Sequence, residues 1–145
     1  MQEDQDFFDY SLSLKEAIGI GNVNKIDLLA NIKQAAEFAG LANVIDGLPM
    51  GYDTPLSREF DNEGVELSKG QKSKIAIARA FMSDGQILLF DEPTASLDAR
   101  AENDYFESLK KLIRNKTCLI ITHRLTSIKS VDRILVLSNG EIVED

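Results

Sequence analysis

The stretch that most constrains the fold is residues 87–98, Ile-Leu-Leu-Phe-Asp-Glu-Pro-Thr-Ala-Ser-Leu-Asp. Its four apolar residues predict a buried strand, and two adjacent carboxylates, Asp91 and Glu92, follow at the end of that strand. An open α/β sheet places its chemistry outside the carboxyl ends of its strands. There, Asp91 would hold Mg²⁺, directly or through water, and Glu92 would orient or deprotonate an attacking water. Taken alone, the stretch also fits a core strand followed by a solvated acidic turn.

Strands and helices alternate over the second half of the chain, which predicts an α/β fold. A helix over residues 99–114 carries a stripe of apolar side chains, and a strand over 117–122 follows it. The stripe comprises Tyr105, Phe106, Leu109, Leu112 and Ile113. A strand–helix–strand unit implies a parallel pair with a right-handed crossover. A third strand is predicted over 133–137, and Asn139-Gly140 predicts a hairpin into residues 141–143.

The part of the chain before residue 84 is predicted to be mainly helical. Ser11 or Ser13 can cap a short first helix. Asn24 can cap the next helix, which Gly40 ends. Residues 41–45 add a turn, and residues 47–64, with two prolines, predict a loop.

Ser68 is predicted to cap a helix that runs to about Met82. The buried face of this helix comprises Ile75, Ala78, Phe81 and Met82. The exposed N–H groups of a helix start favour anions, and Gly70 lets the backbone approach a ligand closely. Lys69 has two opposed effects that the sequence leaves open. Its ammonium attracts phosphate, whereas its Cβ restricts the backbone.

Bulk composition narrows the class of protein. The net charge of −8 disfavours a general nucleic-acid binder. The one cysteine, Cys118, excludes an intrachain disulfide and is interpreted as an inert core thiol. Apolar runs reach only four residues, so no segment is expected to span a membrane.

Further segments accompany residues 87–92 in a fixed order along the chain. They are Gln5-Asp6-Phe7, Ser-Leu-Lys-Glu-Ala-Ile at 13–18, Leu-Ser-Lys-Gly-Gln at 67–71, Ser-Leu-Asp at 96–98 and Ile-Ile-Thr-His-Arg at 120–124. In this order and spacing they resemble the nucleotide-binding domain of ABC transporters, in particular peptide, bacteriocin and multidrug exporters. The resemblance covers essentially all 145 residues.

The resemblance implies a role for each motif and ATP with Mg²⁺ as ligands. Residues 67–71 match the signature Leu-Ser-Gly-Gly-Gln except at Lys69, and residues 87–92 match the Walker B strand. The motif at 96–98 matches the D-loop, and the one at 120–124 contains the switch histidine, His123. Gln5-Asp6-Phe7 fits the Q-loop. The catalytic residues would be Glu92, His123 and Gln5, the metal-binding residues Asp91 and Gln5, and the nucleotide-binding residues Ser68, Lys69, Gly70, Gln71 and Asp98.

A phosphate-binding loop, Gly-x-x-x-x-Gly-Lys-Ser/Thr, does not occur in these 145 residues. In the family it precedes the Q-loop and would lie before Met1. The resemblance therefore implies a partial P-loop NTPase fold, in which a helical subdomain accompanies a truncated, mostly parallel sheet flanked by helices. Its parts would be a Q-loop segment (1–9), a helical signature subdomain (10–83) and a partial RecA-like α/β core (84–145). We expect the isolated chain to bind ATP poorly and to hydrolyse it hardly at all.

The implied partners are a second nucleotide-binding domain, in a head-to-tail dimer, and transmembrane transporter domains, with no nucleic acid. The implied location is the cytoplasmic face of a membrane, with the chain itself soluble. Exposed sheet edges and apolar faces would favour self-association. Two alternatives stay open, namely a non-catalytic interaction module and an ABC ATPase of a non-transport class.

Overall fold

The computed structural model describes residues 12–58, 64–95, 97–113, 116–124 and 131–145. The predicted Q-loop segment and Ser11 lie outside these ranges. The helices are α1 (Leu14–Gly19), α2 (Leu29–Phe38), α3 (Ala42–Asp46), α4 (Lys69–Met82) and α5 (Ala99–Leu112), with short 3₁₀ turns at Val23–Lys25 and Gly51–Asp53. The strands are β1 (Ile87–Asp91), β2 (Thr117–Ile121), β3 (Val136–Ser138) and β4 (Glu141–Glu144). This order confirms a mixed α/β fold.

The first helix begins with a capping box. The backbone N–H of Ser13 donates to the Glu16 carboxylate at 2.8 Å, and the Ser13 hydroxyl accepts from the Glu16 N–H. Helices α1, α2 and α4 pack against one another. Fully buried apolar side chains fill the space between them: Leu14, Ala17, Ile18, Ile32, Ala35, Ala36, Ile75 and Ala78. This packing forms the main core of the helical part.

The prediction for the second helix was wrong at its start. Asn22, not Asn24, provides the cap, and it caps the 3₁₀ turn. Helix α2 begins only at Leu29 and has no side-chain cap. A distant partner favours Asn22 over Asn24 as the cap, since the side-chain amide of Asn22 also donates to Asp84 at 2.8 Å. The end was predicted correctly, because Gly40 has a φ of +68° that favours glycine there.

Helix α4 spans the predicted residues, but its buried face differs. Ile77 is buried in addition to Ile75, Ala78 and Met82, whereas Phe81 is only half-buried. The reason is that α4 contacts α5 as well as α1 and α2, so that more than one of its faces is covered. Phe81 packs on Phe38, with ring centroids 4.6 Å apart. No described helix combines the length and apolarity that crossing a membrane requires.

The described strands form two separate pairs. β1 and β2 are parallel, with Asp91 opposite Ile121, as predicted for a strand–helix–strand unit. β3 and β4 form the predicted antiparallel hairpin, and positive φ angles at Asn139 and Gly140 make its turn. The third strand was predicted to begin at residue 133, but it begins at Val136.

β1 is covered on one face only, which corrects the prediction of a buried strand. Leu88 is buried, whereas Ile87 and Leu89 are 71% and 65% exposed. Leu119 and Ile121 of β2 lie on the same open face and are also exposed. On the covered face, Phe90 meets the edge of the Tyr105 ring of α5, with centroids 6.4 Å apart.

We expect the 145-residue chain to self-associate through this open face. Contiguous exposed aliphatic side chains on a two-stranded sheet favour burial against another surface. Light scattering across a wide concentration range should show a mass that rises with concentration. Leu89→Lys should lower that mass toward the monomer, whereas Leu28→Lys, at a similarly exposed leucine before α2, should leave it unchanged. A monomeric mass at all concentrations would contradict the expectation.

Candidate functional site

The carboxyl ends of the two parallel strands bring a glutamate and the lone histidine together. Glu92 directly follows β1, and its N–H donates to the carbonyl of Ile121 at the end of β2, at 2.9 Å. His123 follows β2 by two residues. Its Nδ1 lies 2.8 Å from Oε1 of Glu92, and both side chains are accessible to solvent. A pair of titratable groups therefore faces outward at the strand ends.

The chemistry of this pair follows from its donors and acceptors. An ionised carboxylate only accepts hydrogen bonds, so with Glu92 ionised the 2.8 Å contact requires the tautomer of His123 that carries its hydrogen on Nδ1. Nε2 of the ring then remains available to a third group. The Glu92 carboxylate keeps its second oxygen for another donor, such as a water molecule. The pair can accept a proton and hold a polar ligand at the same time.

Glu92 has a strained backbone. Its φ of +42° lies in the left-handed region, which residues other than glycine rarely adopt. Such strain costs on the order of 1–3 kcal/mol and is concentrated at functional sites. The chain turns sharply here, and Ala95 donates back to the Glu92 carbonyl at 3.0 Å.

Asp91 lies at the last position of β1 and is exposed. Within the described ranges, no group of three or more histidine, cysteine, aspartate or glutamate side chains could enclose a metal ion. A single exposed carboxylate fits Mg²⁺, which proteins commonly hold through one or two carboxylates together with water and substrate phosphates. It does not fit a metal that requires an all-protein cage.

The signature residues form the start of α4. Ser68 and Gln71 make a capping box, in which Ser68 N–H donates to Gln71 Oε1 at 2.7 Å and Gln71 N–H donates to Ser68 Oγ at 3.2 Å. Lys69 is exposed as the first helical residue, and no acidic residue occurs in the first turn. The helix start therefore presents positive charge and N–H groups, with no carboxylate in its first turn.

The D-loop is held between two helices. The Asp98 carboxylate caps α5, accepting from the N–H groups of Arg100 and Ala101 at 3.0 and 2.9 Å. Leu97 is buried, and a Cβ added to Gly70 would lie 3.8 Å from it. Leu97 of the D-loop thus lies near the start of the signature helix within one chain. Among the described residues, no hydrogen bond or ion pair joins positions 68–71 to Glu92 or His123, and Gln5 lies outside the described ranges.

A second polar cluster beside the strand ends was missed by the sequence prediction. Thr94 and Glu102 are both buried, and the Thr94 hydroxyl donates to the Glu102 carboxylate at 3.1 Å. The guanidinium of Arg124 lies 3.6 Å from the same carboxylate and donates to the carbonyls of Ala95 and Leu97 at 2.8 and 3.2 Å. One signal was present, since Glu102 lies on the apolar stripe of α5, where a carboxylate needs a partner.

The lone cysteine lies on the second strand of the parallel pair. It lies on β2 opposite Leu88, and burial raises the pKa of its thiol. A raised pKa lowers the fraction of nucleophilic thiolate. Cys118 is half-buried beside the core and not fully within it, and its inertness stays a prediction.

Known proteins are similar to this chain in sequence and in fold. The family model described as ABC transporter matches residues 2–95. The chain is 40% identical over 144 residues to the ATP-dependent lipid A-core flippase of Ralstonia nicotianae, covering 99% of this chain and 24% of the flippase. It is 41% identical over 135 residues to ATP-binding cassette sub-family B member 5 of Mus musculus, covering 93% and 10%.

A solved structure, that of a bacterial Atm1-family ABC exporter with ATP bound, superposes with a TM-score of 0.80 at 36% identity. The alignment covers 97% of this chain and 23% of the exporter chain. The chain thus spans a quarter or less of the length of these relatives. The family model stops before Asp98 and His123, whereas the flippase alignment extends over nearly the whole chain. With the model matching well over half of its residues, the chain belongs to the ABC transporter family and has a partial ABC ATPase fold.

Proposed function

We propose that this chain supplies the catalytic-glutamate half of an ATP-hydrolysing domain that powers an exporter of the ABC family. The observation that carries the proposal is the 2.8 Å contact between Glu92 and His123 at the carboxyl ends of two parallel strands. The relatives are named as an exporter and a flippase, which favours transport over a non-transport ABC ATPase. The proposed division is a Q-loop segment (1–9), a helical signature subdomain (10–83) and an α/β core (84–145).

In the proposed reaction, Glu92 accepts a proton from water as the water oxygen bonds to the γ-phosphorus and the bond to ADP breaks. His123 holds Glu92 through Nδ1 and offers the other ring nitrogen to the γ-phosphate or the attacking water. Asp91 would hold Mg²⁺, which neutralises phosphate charge when bound. Gln5 would contact the metal or the water. Positioning and electrostatics supply most of such catalysis.

The start of α4 serves a second nucleotide in this proposal. Ser68, Lys69, Gly70 and Gln71 would face the γ-phosphate held by a partner domain in a head-to-tail dimer. The capping box keeps the two flanking side chains on the helix itself, so the ligand would meet backbone N–H groups and the Lys69 ammonium. Asp98 would contribute at the dimer interface while capping α5. Transmembrane domains at the cytoplasmic face of a membrane would be the other partners.

One sequence observation favours a second candidate function. The 145 residues contain no Gly-x-x-x-x-Gly-Lys-Ser/Thr run, so nothing in them provides the usual cradle for the β-phosphate. Alone, the chain would then act as an interaction module that needs a phosphate-binding loop from elsewhere. The open face of β1 and β2 is available for such an association.

Calorimetric titration of the 145-residue chain with Mg-ATP tests this distinction. We expect no binding heat up to millimolar nucleotide, because the described site offers one metal carboxylate and no β-phosphate cradle. Micromolar binding that is lost in Asp91→Ala would contradict this expectation. It would show that the remaining motifs suffice to hold the nucleotide. Asp104→Ala, which removes a carboxylate on the exposed side of α5, serves as the matched control.

A further inference from the structure

Among its described residues, the segment that joins Glu92 to Asp98 has one backbone hydrogen bond to the sheet, in which Glu92 N–H donates to the Ile121 carbonyl at 2.9 Å. Within its described residues, Ala95 N–H donates to the Glu92 carbonyl and Leu97 N–H donates to the Thr94 carbonyl, both at 3.0 Å. These bonds form local turns, and neither ties the segment to the sheet. Yet Glu92 lies at one end of the segment and Asp98, the cap of α5, lies at the other. The conformation of the segment therefore determines where these two carboxylates lie.

The guanidinium of Arg124 supplies two further ties to the segment, both at residues beyond Glu92. One nitrogen donates to the carbonyl of Ala95 at 2.8 Å and the other to the carbonyl of Leu97 at 3.2 Å. Arg124 directly follows His123 in the chain. The turn after β2 therefore carries both the His123 ring, which contacts Glu92, and the Arg124 guanidinium fork, whose two terminal nitrogens bind the segment after Glu92.

A buried carboxylate keeps the fork in place. Glu102 is only 8% exposed, and its second oxygen lies 3.6 Å from Nη1 of Arg124. Its first oxygen accepts from the buried Thr94 hydroxyl, which belongs to the same segment. A buried carboxylate is stable only with partners, and Arg124 is one partner of Glu102 beside the Thr94 hydroxyl. The Arg124 side chain thus holds the segment through the carbonyls of Ala95 and Leu97, and the Glu102 carboxylate holds the Arg124 side chain.

We propose that Arg124 is a positioning residue that locks residues 92–95 and 97–98 against the His123 turn, beside the start of α4. The importance of this role for catalysis rests on the proposed function, because Glu92 and Asp98 lie at the two ends of the segment. Arg124 links the two half-sites of one chain, since Leu97 also packs near Gly70. Arginine is required because its planar fork reaches two carbonyls at once, which a lysine ammonium on a flexible stem does not reproduce.

The test is amide hydrogen exchange, measured by NMR on the nucleotide-free 145-residue chain and on Arg124→Ala and Arg124→Lys. We expect the amides of Ala95 and Leu97 to exchange roughly tenfold faster in both variants, in line with the loss of hydrogen bonds from a charged donor. Amides in the middle of α4, such as Ile75, should stay within about twofold of the parent chain, because the fork does not touch them.

The ring nitrogens of His123 give an independent spectroscopic readout, since the chain has no other histidine. Their signals should move in both Arg124 variants. The matched control Arg100→Ala removes an exposed arginine from the first turn of α5 and should change neither the signals nor the exchange rates.

Several results would overturn the proposal. Unchanged exchange of the segment would show that the fork does not hold it. Equal acceleration in α4, or loss of the fold, would make Arg124 a general stabiliser. Restoration of parent rates in Arg124→Lys would make charge opposite Glu102 the cause, and not the fork. No nucleotide is present, so a failed Mg-ATP titration and a failed exchange experiment remain distinguishable.

Discussion

Glu92→Gln should lower the rate of ATP hydrolysis by about a hundredfold to ten-thousandfold, the range expected for loss of a general base. The measurement requires a protein in which residues 1–145 are joined to a segment with a phosphate-binding loop. Glutamine has the same shape as glutamate, and its carbonyl oxygen can still accept from Nδ1 of His123. It cannot accept the proton of the attacking water. The geometry of the site therefore stays while its basic group is lost.

The readout is phosphate release at saturating Mg-ATP together with the dissociation constant for the nucleotide. We expect kcat to fall and the affinity for Mg-ATP to stay within about twofold, because Glu92 acts on water and not on the nucleotide. The matched control is Glu107→Gln on the exposed side of α5, where the carboxylate only pairs with Lys110 at 2.9 Å. Hydrolysis that persists in Glu92→Gln would contradict the proposed role of this residue.

Local chemistry made much of the fold predictable from sequence. Ser68 and Asp98 each carry the side chain that a helix start needs, and both cap helices in the structure. The Asn139-Gly140 pair can adopt two successive positive φ angles, so its hairpin follows from two residues. The apolar stripe of α5 predicted a helix because the spacing of its apolar residues is a property of that one helix and needs no distant partner.

Features that depend on distant partners were not predictable in the same way. Asn22 and Asn24 are equivalent as caps by residue type, and the contacts of Asn22 with Met82 and Asp84, far along the chain, separate them. The burial of β1 depends on which elements cover each of its faces, and the five residues of the strand do not encode this.

The candidate site shows the same division between local and distant information. Sequence placed Glu92 and His123 at the ends of parallel strands of one unit, but it did not predict their direct 2.8 Å contact. The pairing of Arg124 with Glu102 was not expected, because it joins the turn after β2 to a helix earlier in the chain. The left-handed φ of Glu92 carries no sequence signal, since glutamate rarely adopts it.

Gly21→Ala should destabilise the chain by about 3 kcal/mol, the upper part of the range for forced overpacking. Gly21 follows α1 at its close approach to α4. An added Cβ would overlap the carbonyl oxygen of Arg79 and lie 2.9 Å from its carbonyl carbon. These are backbone atoms of a helix, so they cannot swing aside as a flexible side chain would. The clash must be relieved by separating α1 from α4, which opens the core around Ile18 and Ile75.

Urea unfolding measures this effect as a fall in the midpoint with an unchanged slope. The matched control is Gly47→Ala at the end of α3. Its φ of −89° suits alanine, and the added Cβ would meet nothing closer than 3.5 Å. That variant should lie within about 0.5 kcal/mol of the parent or be slightly more stable. Equal stability of the two variants would show that the α1–α4 approach is looser than described. The helical core would then tolerate a side chain at the junction that only glycine now fits.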